Sequence, residues 1–198
     1  MIVNNDELLA KIEEWNSEMY DKDENKNKDK EKHIHFALLE IFIEFEKFLT
    51  NSFIAYALGG KGKNNFAPTL RVQFEDEEHL LGFIKCNNQY IDYIKKIQEI
   101  KEFIFVENTC PFNKIFSTAE FTTYFKETQT LRNFIAHQSQ ESKDKYQKEV
   151  LRPKGINSYI LVKTFLQRIN KRKSISHYSI YVNAIKFYSE IICDASSE

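Results

Sequence analysis

The chain has 198 residues, with 28 Lys and Arg against 29 Asp and Glu, a formal net charge of −1, and only 5 Gly and 3 Pro against 17 Phe and 10 Tyr. Few turn-formers over that length exclude a sandwich or barrel of many short strands and predict long helices. No apolar run reaches the ~18–20 residues of a membrane span, and three separated cysteines (Cys86, Cys110, Cys193) exclude a disulfide framework and fit a reducing cytoplasm.

In chain order, residues 5–19 read as a short amphipathic helix with Leu8, Ile12, Trp15 and Met19 on one face. Nothing in MIVNNDELL predicts export. The segment 21–32 holds only Asp, Glu, Lys and Asn and reads as a solvated linker, so residues 1–32 form an N-terminal helix plus linker and 33–198 a helical domain. From His33 to Leu58 a wide stripe of Ile34, Leu38, Ile41, Phe42, Phe45, Leu49 and Phe53 predicts a long helix that Gly59-Gly60 stops. Gly59-Gly-Lys-Gly-Lys63 lacks the spacing of a phosphate loop and reads as a helix cap.

Around 60–75 the pattern is irregular, with a short edge strand or extended loop at Leu70, Val72 and Phe74. A second long helix is expected from roughly Asp76 to Phe105. After the Pro111 loop, Ser117 and Glu120 have capping-box spacing and open a third helix carrying Phe121, Tyr124, Leu131 and Phe134. The polar stretch 138–150 continues partly helical until LRPKG, and helices over about 157–171 and 176–193 close the chain. The expected fold is all-α, an up-and-down bundle of five to seven helices with the one irregular or short β excursion near 60–75.

The neutral total conceals a division. Residues 1–110 carry net −7 and residues 111–198 net +6, with net +8 inside 142–178. A basic region of that size can bind phosphate even in a neutral chain. Lys143, Lys145, Lys148, Arg152 and Lys154 are candidate contacts to an RNA backbone, with Arg168, Lys171, Arg172 and Lys173 further on; a solvated helix face is the alternative. His33 and His35 lack the helical spacing of metal ligands and have no neighbouring Cys or His in sequence.

The segment Leu131-Arg-Asn-Phe-Ile-Ala-His137 sets Arg132, Asn133 and His137 in an otherwise apolar helix. A buried Arg needs a counter-ion or a task; Glu46, on the Phe-rich helix, is a candidate counter-ion. Five residues at 100° each separate Arg132 from His137 by about 140°. The two converge only if the helix breaks between them or if two copies of the motif meet. The Arg-x4-His spacing recurs at Arg172/His177, in a basic turn with Lys173 after the Arg.

The Arg132-Asn133-x3-His137 pattern, with HFALLEIFIEFEKFLTNSFIAYAL upstream, resembles the HEPN superfamily, in its RiboL-PSP-associated branch, over roughly 33–193. That resemblance implies a homodimeric, metal-independent endoribonuclease without cofactor, and a role as a bacterial toxin or antiphage defence effector. RNA would be its substrate, an antitoxin or regulator its partner, and the membrane none. The 2′-OH of the RNA attacks the adjacent phosphate, leaving a 2′,3′-cyclic product. Arg132 would stabilise the phosphate, His137 would act as general acid/base and Asn133 would orient either. A tyrosine two residues after the His, modified in toxins paired with nucleotidyltransferase antitoxins, is replaced here by Ser139. The alternative is a non-catalytic HEPN-like module that binds RNA or protein.

Overall fold

The computed structural model describes residues 1–19, 33–85 and 93–196; the charged segment 21–32, Cys86 and Ile91 lie outside the described residues. The fold is all-α. The helices are α1 (Asp6–Met19), α2 (Ile34–Ala57), α3 (Glu77–Lys85), α4 (Tyr93–Ile104), α5 (Asn113–Phe116), α6 (Ala119–His137), α7 (Gln140–Tyr146), α8 (Val162–Gln167) and α9 (His177–Cys193). No described helix is long and apolar enough to cross a membrane. The chain divides into two compact units, Met1–Asp6 with Phe45–Ala119 and Phe187–Glu198, and Glu7–Glu44 with Glu120–Lys186; the boundaries fall at the first residues of α1 and α6 and inside α2 and α9.

The first unit is organised by rings. Phe53 meets Phe105 edge-on at 5.8 Å and Phe112 at 5.8 Å, and Tyr56 meets Phe112 edge-on at 6.2 Å. Such pairs contribute about 0.5–1.5 kcal/mol each beyond the area they bury. The Tyr56 hydroxyl donates to the Ile192 carbonyl at 2.7 Å. Where the sequence suggests a strand near 60–75, there are two isolated bridges, Ile2 with Lys61 and Leu70 with Phe105. Gly59 ends α2 in the left-handed region at φ 81°, and a Cβ on Gly62 would lie 2.5 Å from the Cys193 carbonyl oxygen. The amides of Gly60, Lys61, Gly62 and Lys63 donate to the carbonyls of Ala55, Met1, Phe66 and Cys193. With those donors engaged, this segment cannot cradle a phosphate; it is a helix cap and crossing point.

In the second unit, α1 is held to the first half of α2 by Trp15, whose indole N–H donates to Glu40 Oε2 at 3.1 Å. The core stacks Phe134 on Tyr146 at 5.2 Å, sets Tyr146 edge-on to Phe165 at 6.2 Å, and stacks Phe165 on His177 at 4.5 Å.

Three elements differ from the sequence reading. Ser117 closes α5 as its C-cap, with helical φ and ψ of −80° and −15°, so α6 starts at Ala119 and the capping box does not open it. The expected 157–171 helix contracts to Val162–Gln167, because Leu161 and Arg168, at its two ends, are both extended. The regular sheet is a hairpin of β1 (Ile169–Asn170) and β2 (Ile175–Ser176), antiparallel, with Ile169 opposite Ser176 and Asn170 opposite Ile175. Its turn is tied by Asn170, whose Oδ1 accepts from the amides of Arg172 and Lys173 at 3.0 and 3.1 Å. Ser176 then caps α9, its Oγ accepting from the Ser179 amide at 3.1 Å.

Candidate functional site

The second unit carries all the motif residues. Helix α6 turns Leu131, Phe134 and Ile135 into the core, which leaves Arg132 and Asn133 half-buried on its flank and His137 exposed as its last residue. The guanidinium donates from Nη1 to Asn133 Oδ1 at 2.8 Å, which fixes the cation on its own helix. The helix is unbroken through His137. It ends only at Gln138, which enters the left-handed region at φ 48° and donates its amide to the Phe134 carbonyl at 3.0 Å. The ~140° separation of Arg132 and His137 therefore stands within one chain. Ser139, two residues beyond His137, caps α7: its Oγ accepts from the Ser142 amide at 3.2 Å.

The buried acid on α6 is Glu127, not anticipated from the sequence. It is 6% exposed, and one carboxylate oxygen pairs with the Lys154 ammonium while the other accepts from the Tyr181 hydroxyl at 2.7 Å. Burial first, and then the adjacent carboxylate, hold the Tyr181 phenol well above its ordinary range. The signal was legible: Glu127, Leu131 and Phe134 repeat at i, i+4 and i+7, which places the carboxylate on the core stripe of α6. Glu46, considered as a counter-ion, sits half-buried on α2.

The proposed RNA-backbone track is not one array of equivalent cations. Lys154 is committed to Glu127. Lys145 pairs with Glu141 at 2.8 Å on α7, an exposed pair one helical turn apart. Lys143 lies over the Tyr159 ring, 4.5 Å from its centroid. Lys148 and Arg152 are exposed. A hollow of about 460 Å³ opens beside the end of α6, lined by Phe134, Gln138, Lys143, Tyr159 and His35 among others. His35 Nδ1 is buried there without a hydrogen-bond partner among the described residues, and burial, followed by the charges of His33 and Lys163, lowers its pKa.

The second Arg-x4-His pair is split by burial. Arg172 is exposed in the hairpin turn, whereas His177 is 7% exposed and stacked on Phe165. Both line a cleft of about 720 Å³ with Lys154, Arg168 and Lys171. Among the described residues no group of three or more His, Cys, Asp or Glu could hold a metal ion.

No family model, curated protein or solved structure matches this chain. The functional reading therefore rests on the side chains themselves and on the motif they form.

Proposed function

We propose that the protein is a metal-independent endoribonuclease of the HEPN type, acting as a homodimer with a composite active site. The observation that carries this reading is the pairing on α6 of a guanidinium fixed by Asn133 with an exposed imidazole closing the same helix. In the reaction, the 2′-OH gives up its proton to an imidazole and its oxygen bonds to the adjacent phosphorus. The P–O5′ bond breaks, the leaving 5′-oxygen takes a proton from a second imidazole, and a 2′,3′-cyclic phosphate remains. Two His137 side chains, one from each copy, supply the base and the acid. Arg132 offers a planar fork to the non-bridging oxygens as charge builds on them. Two copies facing each other also resolve the angular separation on one helix, since the Arg of one meets the His of the other. Roles as a toxin or antiphage effector, and restraint by a regulatory partner, extend the same proposal.

A second reading is a HEPN-like module that binds RNA without cutting it. The exposed cations Lys148 and Arg152, with the arginines of the basic cleft, favour it, since binding needs only phosphate contacts. Incubation of RNA in EDTA with the wild type, Arg132→Ala and His137→Ala separates the two. Cleavage by the wild type alone, with cyclic-phosphate ends, supports the nuclease. A requirement for Mg²⁺, or normal cutting by both variants, sinks it, and tight binding without products over hours favours the module.

A further inference from the structure

The basic cleft is built from three backbone devices. The hairpin turn is pinned by Asn170. A second stretch of the lining is the turn through Pro153 and Gly155, where Gly155 adopts φ 72° and donates its amide to the Arg152 carbonyl at 2.9 Å. A third is the start of α9, where the His177 amide donates to the Arg168 carbonyl at 3.0 Å. Onto this frame the sequence places Arg168, Lys171 and Arg172, none of them in an ion pair among the described residues, and no Asp or Glu lines the space. The fourth cation, Lys154, has its charge answered from beneath by Glu127.

We propose that this cleft is a binding site for phosphate groups, those of a free nucleotide or of an RNA strand. Three cations lining one concavity without a carboxylate repel one another, and a polyanion relieves that repulsion. Arginine suits the task because its planar fork matches phosphate oxygens. Asn157, Ser158 and Asn170, also at the lining, add neutral hydrogen-bonding groups, and the volume lies within the range of small-ligand sites. His177 registers the positive field: burial, then the charges of Lys154 and Arg168, push its imidazole down to about 4. It is therefore neutral near pH 7 and can hydrogen-bond a phosphate without being a cation. Arg132 and His137 do not line this cleft, so the proposal stands apart from the cleavage reading.

The test is calorimetric titration of the full chain at low salt with pyrophosphate, with ATP, and with a short 2′-O-methyl RNA that lacks the attacking hydroxyl. The expected result is saturable binding of pyrophosphate that the double variant R168Q/R172Q weakens at least about tenfold. The variant K126Q, which alters an exposed lysine outside the cleft, should bind as the wild type does. Both arginines are exposed, so the double variant should keep the wild-type melting temperature. If the RNA analogue binds through the same arginines and pyrophosphate displaces it, the phosphates are those of a strand. If only pyrophosphate and ATP bind, the ligand is a free nucleotide. Absence of saturable binding by all three probes, or equal affinity in R168Q/R172Q, overturns the proposal.

Discussion

Lys154 and Glu127, 27 positions apart in sequence, form an ion pair in which the carboxylate is almost fully buried and shared with the Tyr181 hydroxyl. The pair joins α6 to the turn before Gly155 and places a lysine in the basic cleft with its charge already answered. Desolvating two ions costs much of what their attraction returns, but removing one partner leaves the other buried and uncompensated. Lys154→Ala and Glu127→Ala should therefore each lose about 2–4 kcal/mol, less than a wholly buried pair because Lys154 is 22% exposed. The joint replacement Lys154→Met with Glu127→Leu should lose much less. Urea unfolding of the three variants measures this, and equal losses from single and joint changes would refute the coupling.

Burial of His177 makes stability depend on pH. Its folded pKa is about 4 against an ordinary 6.5. Between those values the unfolded chain binds a proton that the native chain does not, so stability rises with pH across that window and is lost as pH falls through it. From pH 7 to pH 5 the loss is about 2 kcal/mol. His177→Gln should flatten the difference between the two pH values in denaturant midpoints. Parallel behaviour of variant and wild type would show that another group dominates.

The kinetics of the α6 motif should separate its three residues. Arg132→Ala is expected to lower kcat/KM for RNA cleavage by about 10²–10³, the usual loss for an electrostatic stabiliser. His137→Ala should cost about 10²–10⁴. Asn133→Ala releases the guanidinium from its 2.8 Å contact and should cost about tenfold, with Arg132 still present. Single-turnover rates on one RNA substrate report all three, and a wild-type rate in Asn133→Ala would remove its positioning role.

Mixing tests the composite site directly. An equal mixture of Arg132→Ala and His137→Ala forms mixed dimers in half of the population. Each contains one Arg132 and one His137, from different copies, so the mixture should be more active than either variant alone, though below wild type because one imidazole is missing. Mixtures no more active than the separate variants would mean that Arg132 and His137 of one chain work together.

Tyr146 offers a stability gain. Its ring is fully buried between Phe134 and Phe165, and its hydroxyl has no hydrogen-bond partner among the described residues. Tyr146→Phe keeps the stacking and removes a desolvated polar group, so it should be neutral or stabilising by up to about 1–2 kcal/mol. A clear loss in thermal midpoint would reveal a partner for that hydroxyl.

The sequence by itself determined the helical class, the extents of α1, α2 and α9, and the placing of Arg132, Asn133 and His137 on one helix, because apolar periodicity and sparse turn residues are local properties. It also showed that the −1 total is a cancellation between an acidic and a basic part. Tertiary structure decided what the charges are for. Lys143, Lys145 and Lys154 read alike along the chain, yet one lies over a ring, one meets a surface carboxylate and one pairs with the buried Glu127. Likewise, His137 and His177 share a spacing to an arginine, but one ends exposed at a helix terminus and the other packs on Phe165. The reason is physical: the charge state and reach of a side chain depend on solvent and on partners distant in sequence. Neither is written in the residue or its immediate neighbours.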